Sequence, residues 1–481
     1  MINLVFTHMK NLYPVIIFTF ITFCSCGQIE ENTAVDNIFA DWNKPDVPGC
    51  AIGIIKNGEL IYAKGYGIGD LEHDIAIMPS SIFYLGSVSK QFVTFSILLL
   101  EEQGKLNLDD KIQKFLPDFP EYESPLTIRH FIHHTSGVRD YLTLMYLMGR
   151  NYLDHIENDE VYELIKRQSA LNFSPGEEYL YSNSCYFMLA MIVEKAGGQS
   201  LKEFAGENIF EPLGMFNTLF YDDNTDIIIN RVFSYAKAEN EDKFDNLIMR
   251  FDLVGSGGVY SCVEDLFLWD QNFYDNKLGK GEQEIIQKMH KVELLNNGES
   301  SGYAFALNIG TYHGLKTVSH GGSLAGYRSQ LLRFPEQQFS VVILANRSDA
   351  NPEEKAFQIA DIFLQDDFVE EDKVEETETE VPKSTRENEE IDRDMSSIIF
   401  EEYTGNYYSK ELNTTYILFV ENEVLNVKIG NYAPMTFDTY DKDQFRVEEE
   451  GLLFQFTRDD KKIIGFELDA GRVNNLAFTK E

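Results

Sequence analysis

The chain has 481 residues, of which 43% are hydrophobic, enough for a sizeable core and for two or three domains. Its formal net charge of −38 argues against nucleic acids and anionic membrane surfaces as partners, because both would repel it. A charge of this size bears on solubility and on partners, and it leaves the fold open.

The first 26 residues have the pattern of a bacterial lipoprotein signal peptide. Lys10 precedes an apolar run from Val15 to Phe23 that is too short for a transmembrane span. Cys26 follows shortly after this run, at the position of a lipidated first residue. We therefore expect a protein lipid-anchored in the bacterial cell envelope, in the periplasm or at the outer membrane. Secretion without an anchor is the alternative.

A β-hairpin is predicted shortly after the end of the signal peptide. The β-type runs Ala51–Ile55 and Leu60–Ala63 flank an Asn57-Gly58 turn. The following Gly65-Tyr66-Gly67-Ile68-Gly69 is a weak match to a dinucleotide-binding loop. No ordered helix with a ribose-binding acid follows it, so we interpret it as a glycine-rich turn and expect no cofactor.

A Ser-x-x-Lys pair stands at the start of the next element. Ser87 and Lys90 precede the apolar run Gln91–Leu100, which predicts a buried helix ending near Gly104. Ser87 would lie at the helix N-terminus, where free N–H groups and the dipole favour developing negative charge. Lys90 lies one turn further, and burial lowers the pKa of a lysine so that it can take the serine proton. The pattern predicts a nucleophilic serine.

Three histidines follow in the sequence. His130, His133 and His134 have a spacing that is also found in metal sites. Neither a carboxylate pair nor a cysteine accompanies them, so we predict no metal site here.

Tyr181-Ser182-Asn183 supplies the next candidates. The phenol of Tyr181 is a second candidate base, because cationic neighbours make a phenol ionise more easily. The amide of Asn183 is suited to hold Lys90 or a substrate carbonyl. Cys185 follows closely, and we interpret it as a buried free thiol, since Ser87 already has the setting of a nucleophile.

The segment His320-Gly321-Gly322-Ser323 precedes a predicted hairpin with strands at 327–334 and 339–345. Gly322 and its neighbour allow a substrate to lie against the strand edge without a side-chain clash. We expect an N–H near Ser323 to face that of Ser87 and to form an oxyanion hole. The role of His320 stays open between recognition of a substrate carboxylate and support of a Tyr181 phenolate.

The remainder of the chain contains a predicted helix, an acidic segment and a series of short β-type runs. Asn351-Pro352 predicts the start of a helix that runs to about Leu364. Residues 366–395 are strongly acidic and predict a solvated linker with weak coupling between its two sides. Short β-type runs separated by polar turns then predict a small antiparallel barrel or sandwich over residues 396–481.

These motifs together resemble the serine β-lactamase and penicillin-binding protein family, in its class C-like branch. The resemblance also rests on Val47–Gly53, Leu126–Gly137, Phe173–Gly176 and Gly255–Ser261. It covers residues 38–365, and the C-terminal part resembles the lipocalin-like modules appended to hydrolases of this branch. The implied fold is α+β, an antiparallel sheet flanked by helices with a helical lobe, plus a small C-terminal antiparallel β-barrel.

The resemblance also implies roles for the motif residues. Ser87 would be the acylated nucleophile, Lys90 and Tyr181 the proton-transfer pair, and Asn183 a positioning residue. His320 stands where β-lactamases usually carry lysine, and that lysine helps to bind the carboxylate of the drug.

The resemblance is compatible with three functions. We expect a serine hydrolase that cleaves small esters, amides or peptides, including peptides with D-residues or from the cell wall, through an acyl-enzyme. A true class C-type β-lactamase and a non-catalytic penicillin-recognising protein are the alternatives. An α/β-hydrolase is disfavoured, because no Gly-x-Ser-x-Gly elbow surrounds Ser87. The sequence leaves the oligomeric state open.

Overall fold

A computed structural model describes residues 21–151, 153–239, 243–369 and 398–481, with the side chains of residues 21–29 left aside. Most of the predicted signal peptide and of the acidic linker therefore lies outside the described residues. The lipidation candidate Cys26 is described only by its backbone, within the first helix. None of the described helices combines the length and the apolarity that a membrane span requires.

The helices in chain order are α1 (Ile21–Ile38), α2 (Lys90–Glu102), α3 (Ile128–Ile132), α4 (Tyr141–Leu147), α5 (Asn158–Lys166), α6 (Asn183–Gly197), α7 (Leu201–Ala205), α8 (Glu211–Leu213), α9 (Val263–Asn272), α10 (Glu284–Met289) and α11 (Pro352–Leu364). The strands up to the linker are β1 (Cys50–Lys56), β2 (Glu59–Tyr66), β3 (Ile68–Asp70), β4 (Ile75–Ala76), β5 (Phe83–Tyr84), β6 (Leu219–Phe220), β7 (Tyr235–Lys237), β8 (Phe244–Asn246), β9 (Val259–Ser261), β10 (Asn308–Tyr312), β11 (Leu315–Leu324), β12 (Tyr327–Phe334) and β13 (Phe339–Ala345). After the linker come β14 (Gly405–Ser409), β15 (Thr414–Glu421), β16 (Val424–Ile429), β17 (Met435–Thr436), β18 (Asp438–Asp441), β19 (Gln444–Val447), β20 (Leu452–Asp459), β21 (Lys462–Ala470) and β22 (Val473–Lys480).

A six-stranded antiparallel sheet forms the centre of the first part, in the order β10-β11-β12-β13-β1-β2. Both predicted hairpins belong to it, because β13 pairs with β1. Successive residues of β1 face opposite sides, so Ile52 packs with α1 and α11 whereas Ala51 faces the helical region. The Asn351 side chain caps α11 by accepting from the N–H of Glu354, as predicted. The result is the predicted α+β architecture with a helical lobe on one face.

The C-terminal part is a nine-stranded antiparallel sheet in the order β17-β16-β15-β14-β22-β21-β20-β19-β18. Its two edge strands, β17 and β18, follow each other directly in the chain, so the sheet is nearly closed into a barrel. Aromatic rings fill the interior, as in the stacked pair Phe466 and Phe478, whose centroids lie 4.5 Å apart. This confirms the predicted C-terminal β-barrel.

The two parts are joined by buried polar contacts, which the linker composition does not predict. Arg139 of the helical lobe is fully buried and donates to the carbonyls of Asn474 and Asn475 in β22, at 2.8 and 2.9 Å. It also pairs with Glu411 of the barrel at 3.1 Å. These contacts argue against the expected weak coupling, because a buried arginine of one part takes its partners from the other.

Candidate active site

Ser87 lies in a short 3-10 turn, Gly86–Ser89, which leads directly into α2. Sequence analysis placed Ser87 at the N-terminus of the α-helix, whereas the α-helix itself begins at Lys90 and Ser87 lies in the 3-10 turn before it. Gly86 has a φ of 54°, and a Cβ on it would lie only 2.6 Å from the backbone nitrogen of Ser323. Strand β11 therefore lies directly against the turn that carries Ser87, as the predicted oxyanion hole requires.

Lys90 is fully buried and points its amine at three oxygens. Its Nζ lies 3.1 Å from Ser87 Oγ, 2.9 Å from Asn183 Oδ1 and 2.5 Å from the carbonyl oxygen of Ser256. Burial lowers the pKa of Lys90 well below its usual value, and the charge of Arg472 acts in the same direction. A neutral amine has two N–H donors, which the Asn183 amide and the Ser256 carbonyl take. Its lone pair is then directed at the Ser87 hydroxyl, the arrangement that a general base needs.

Tyr181 lies just before α6 with its ring between two basic side chains. Lys90 Nζ is 4.8 Å from the ring centroid and Arg472 Cζ is 4.7 Å from it. Burial nevertheless raises the pKa of Tyr181 well above its usual value, with the Ser87 side chain opposing this shift. The expectation that nearby cations make this phenol ionise is therefore wrong for the resting site, because the loss of hydration outweighs them. Tyr181 is therefore neutral there.

Asn183 begins α6 and is nearly buried. Its backbone N–H donates to the carboxylate of Asp140 at 2.6 Å, while its side chain accepts from Lys90. The carboxylate thus fixes the start of α6, and the helix in turn fixes the amide that orients the Lys90 amine.

His320 lies in β11, 4% exposed, with both ring nitrogens engaged. Nε2 is 3.0 Å from the hydroxyl of Tyr303, and Nδ1 is 2.6 Å from the carbonyl oxygen of Gly321. The carbonyl can only accept, so Nδ1 carries the proton and Nε2 accepts from Tyr303. Burial, and then Lys90, lowers the pKa of His320 to about 4. His320 is therefore neutral near pH 7 and does not supply the positive charge that a carboxylate anchor needs.

A cleft of about 770 Å³ opens over these residues, between the sheet edge and the helical lobe. Its walls include the predicted site residues Ser87, Tyr181, Asn183, His320, Gly322 and Ser323. Gly322 makes the closest approach, since a Cβ there would lie 1.9 Å from the carbonyl oxygen of Leu85. The glycine is thus required to bring β11 against the nucleophile turn, in addition to leaving room for a substrate.

The other reactive side chains are used structurally. Burial raises the pKa of the Cys185 thiol to about 11, and its sulfur contacts Ser136. His133 packs on Phe305, whereas the ring of His134 lies 4.1 Å from that of Tyr181. Within the described ranges no three His, Cys, Asp or Glu side chains are grouped to hold a metal ion.

Three residues of the site were missed by sequence analysis. Ser256 contributes only its backbone carbonyl. It lies in the segment Gly255–Ser261, which sequence analysis used only as part of the family resemblance. Tyr303, the partner of His320, stands outside every motif. Arg472 belongs to the barrel and lines the cleft, and no local pattern distinguishes it from other surface arginines.

Comparison with known proteins agrees with this geometry. The β-lactamase family model matches residues 35–362. Penicillin-binding protein 4* of Bacillus subtilis is 28% identical over 419 residues, which cover 84% of this chain and 88% of that protein. A D-aminopeptidase of Brucella anthropi is 26% identical over 66% of this chain, and the match spans 59% of that enzyme. The structure of the octameric penicillin-binding protein homologue from Pyrococcus abyssi superposes with a TM-score of 0.59 at 22% identity, covering 95% of this chain and 98% of that one.

Proposed function

The chain belongs to the β-lactamase family, and from that premise we propose that it hydrolyses amide and ester bonds through an acyl-enzyme on Ser87. The observation that carries this proposal is the placement of Lys90. Its buried amine lies 3.1 Å from Ser87 Oγ and donates to two other oxygens. A lysine held in this way has its lone pair available for one purpose, to remove the serine proton.

The proposed acylation follows from these contacts. The Ser87 proton passes to Lys90 as Oγ attacks the substrate carbonyl carbon, and the oxyanion takes hydrogen bonds from the N–H groups of Ser87 and Ser323. The tetrahedral intermediate collapses as the leaving group takes a proton from the Tyr181 hydroxyl. Lys90 then passes the proton that it took from Ser87 to Tyr181, so that both groups return to their starting states. Water attacks the acyl-enzyme in the second half-reaction, and Ser87 regains its proton.

The proposed substrates are amides and peptides with D-residues, together with small esters. The similarity to a D-aminopeptidase and to penicillin-binding protein 4* supports this class. Efficient β-lactam turnover is not part of the proposal, because the neutral His320 replaces a cationic lysine at that position. We expect β-lactams to acylate Ser87 slowly, if at all.

Intact-mass spectrometry with a fluorophosphonate probe tests the nucleophile. We expect one adduct on the wild-type protein and none on Ser87→Ala. A parallel panel of p-nitrophenyl acetate, D-alanine p-nitroanilide, an N-acetylated D-alanyl peptide and nitrocefin should show turnover that Ser87→Ala abolishes. A stable adduct without turnover of any substrate would favour the penicillin-recognising, non-catalytic alternative. Nitrocefin cleavage as fast as the best ester would favour the β-lactamase.

A lipid anchor at Cys26 in the bacterial envelope is part of the same proposal. The short apolar run that precedes this cysteine supports it. We expect the wild-type protein in the membrane fraction of an expressing bacterium and Cys26→Ser in the soluble fraction or unprocessed. The matched control is Cys24→Ser, which should leave the protein anchored. Membrane retention of Cys26→Ser after normal cleavage would contradict the anchor.

A further inference from the structure

The barrel contributes a cation to the active-site cleft. Arg472 lies in the two-residue turn Gly471–Arg472, between Ala470 and Val473, which pair as the last residues of β21 and the first of β22. Its side chain is 44% exposed, and its guanidinium carbon lies 4.7 Å from the Tyr181 ring centroid. The tip of a barrel hairpin therefore reaches the ring that Lys90 contacts from within the site.

The backbone of this turn is fixed to the hydrolase part. The Asn172 side chain makes two hydrogen bonds to the backbone here. Its amide N–H donates to the carbonyl of Arg472 at 3.0 Å, and its oxygen accepts from the backbone N–H of Asn474 at 2.8 Å. Arg139 holds the carbonyl of Asn474 from the other side. These contacts hold the main chain in place and leave the Arg472 side chain directed at the cleft.

The Arg472 guanidinium has capacity left for a ligand. Its nearest carboxylate is Asp140 at 4.0 Å, beyond hydrogen-bond distance, and that carboxylate already accepts from Asn183 and Thr143. To the described residues Arg472 donates no side-chain hydrogen bond. A guanidinium has five N–H donors in a planar fork that fits a carboxylate.

The other basic and acidic side chains in or beside the cleft are less suited to bind a substrate carboxylate. Arg328 donates to the backbone carbonyls of Ala325 and Tyr327, at 2.9 and 2.8 Å. Lys90 is fully buried and occupied with Ser87. Glu353 is an anion on the cleft wall, at the start of α11, and would repel a carboxylate bound beside it.

We propose that Arg472 is a specificity-determining residue that binds a free carboxylate of the substrate next to the scissile bond. The preferred peptide would then be cleaved at its carboxyl end, leaving a free C-terminal amino acid, and not at a free amino end. The barrel takes over the recognition role that the neutral His320 does not fill. This inference rests on the proposed function for the bond that is cleaved, and on the cleft geometry alone for the carboxylate.

A matched pair of substrates tests the inference in the full-length protein. N-acetyl-D-alanyl-D-alanine carries the carboxylate, and its C-terminal amide lacks it. Arg472→Gln should lower kcat/KM for the acid about 10- to 100-fold, as expected for loss of a charge-assisted hydrogen bond, through KM more than through kcat. It should change the amide much less, and Arg472→Lys should retain part of the preference. Arg446→Gln is the control, a barrel arginine stacked on Tyr440 outside the cleft, and should change neither.

A binding measurement keeps the outcome independent of turnover. Calorimetry with Ser87→Ala should detect the acid and not the amide at equal concentration, and Ser87→Ala combined with Arg472→Gln should lose this difference. If the acid binds through Arg472 but is not hydrolysed, the proposed function fails and the carboxylate site stands. Equal losses for acid and amide would identify a merely structural role and overturn the inference. So would a wild-type protein that shows no preference for the acid.

Discussion

A lysine acts as a base only if its amine is unprotonated at the working pH, and burial favours this state of Lys90 by lowering its pKa. The amine is surrounded by the Asn183 amide, the Ser256 carbonyl and the Tyr181 and Tyr186 rings. None of these neighbours carries a negative charge, so they repay only part of the hydration that a protonated amine loses on burial. Tyr181 is kept neutral for the same reason. Burial thus favours an unprotonated base and a protonated acid around the same serine, which is the pairing that acid–base catalysis needs.

This protonation pattern predicts an unusual pH profile for a lysine base. Because burial lowers the pKa of Lys90 well below 10.5, kcat/KM for a neutral ester should reach its plateau at a pH well below that value. It should stay level to pH 9.5 after correction for spontaneous hydrolysis. Lys90→Arg, whose side chain stays protonated, should lose about 100-fold or more of the activity, the usual scale for a general base. A kcat/KM that still rises tenfold per pH unit up to pH 9.5 would contradict an unprotonated Lys90.

The pH profile of activity has to be measured above the pH range in which protonation of buried histidines destabilises the fold. Burial lowers the pKa of both His133 and His320 from 6.5 to about 4. Between these values the unfolded chain binds protons that the native protein does not bind, so stability falls as the pH falls through this window. Circular dichroism at each pH separates this loss of fold from the loss of an active amine.

At the scale of elements, sequence patterns predicted those parts of the site that depend on local order. The Ser-x-x-Lys spacing, the strand around His320 and the Asn351 cap each depend on residues a few positions apart. The partners that were missed are far apart in the chain: Ser256 meets Lys90 across the cleft, and Arg472 arrives from another sheet. No local pattern carries such contacts, because tertiary packing alone sets them.

The contact between β11 and the nucleophile turn gives a prediction at this scale. Gly322→Ala places a Cβ 1.9 Å from the Leu85 carbonyl oxygen and 2.4 Å from Ser329 Oγ, so the strand has to move. We expect a loss of about 1–3 kcal/mol in the free energy of unfolding, as for other overpacked sites. Activity should fall further, by about 100-fold, because small displacements of reacting groups are that costly.

Gly206→Ala is the matched control for this substitution. Nothing lies within 4 Å of its added Cβ, and its φ lies outside the left-handed region. Its stability and its activity should equal or slightly exceed those of the wild type. Urea unfolding and ester hydrolysis measure both properties. A fully active Gly322→Ala would show that β11 need not touch the turn for catalysis.

At the scale of the whole molecule, the barrel and the hydrolase part form one structure across a buried interface. Barrel hydroxyls reach the helical lobe as well, since Tyr416 and Tyr432 donate to the carbonyls of Leu147 and Arg150 at 2.7 and 2.9 Å. The residue after Arg139 is Asp140, which holds the start of α6 and so the Asn183 amide. The interface is therefore continuous with the catalytic groups, and the barrel is expected to affect both stability and activity.

The Arg139–Glu411 pair tests this coupling. Arg139 is fully buried and Glu411 is 10% exposed, and Glu411 also accepts from the N–H and the hydroxyl of Ser169, at 2.5 and 2.7 Å. Glu411→Ala leaves the arginine charge buried without its counter-ion, a change that costs about 3–5 kcal/mol in comparable sites. The control Glu448→Ala removes an exposed partner of Arg446 and should cost less than about 1 kcal/mol.

Both tryptophans of the chain, Trp42 and Trp269, lie in the hydrolase part, so their fluorescence reports on that part alone. Because the barrel is packed on it, Glu411→Ala should lower the urea midpoint seen by tryptophan fluorescence together with the midpoint seen by circular dichroism. An unchanged fluorescence midpoint would mean that the two parts unfold independently, as the composition of the linker by itself predicts.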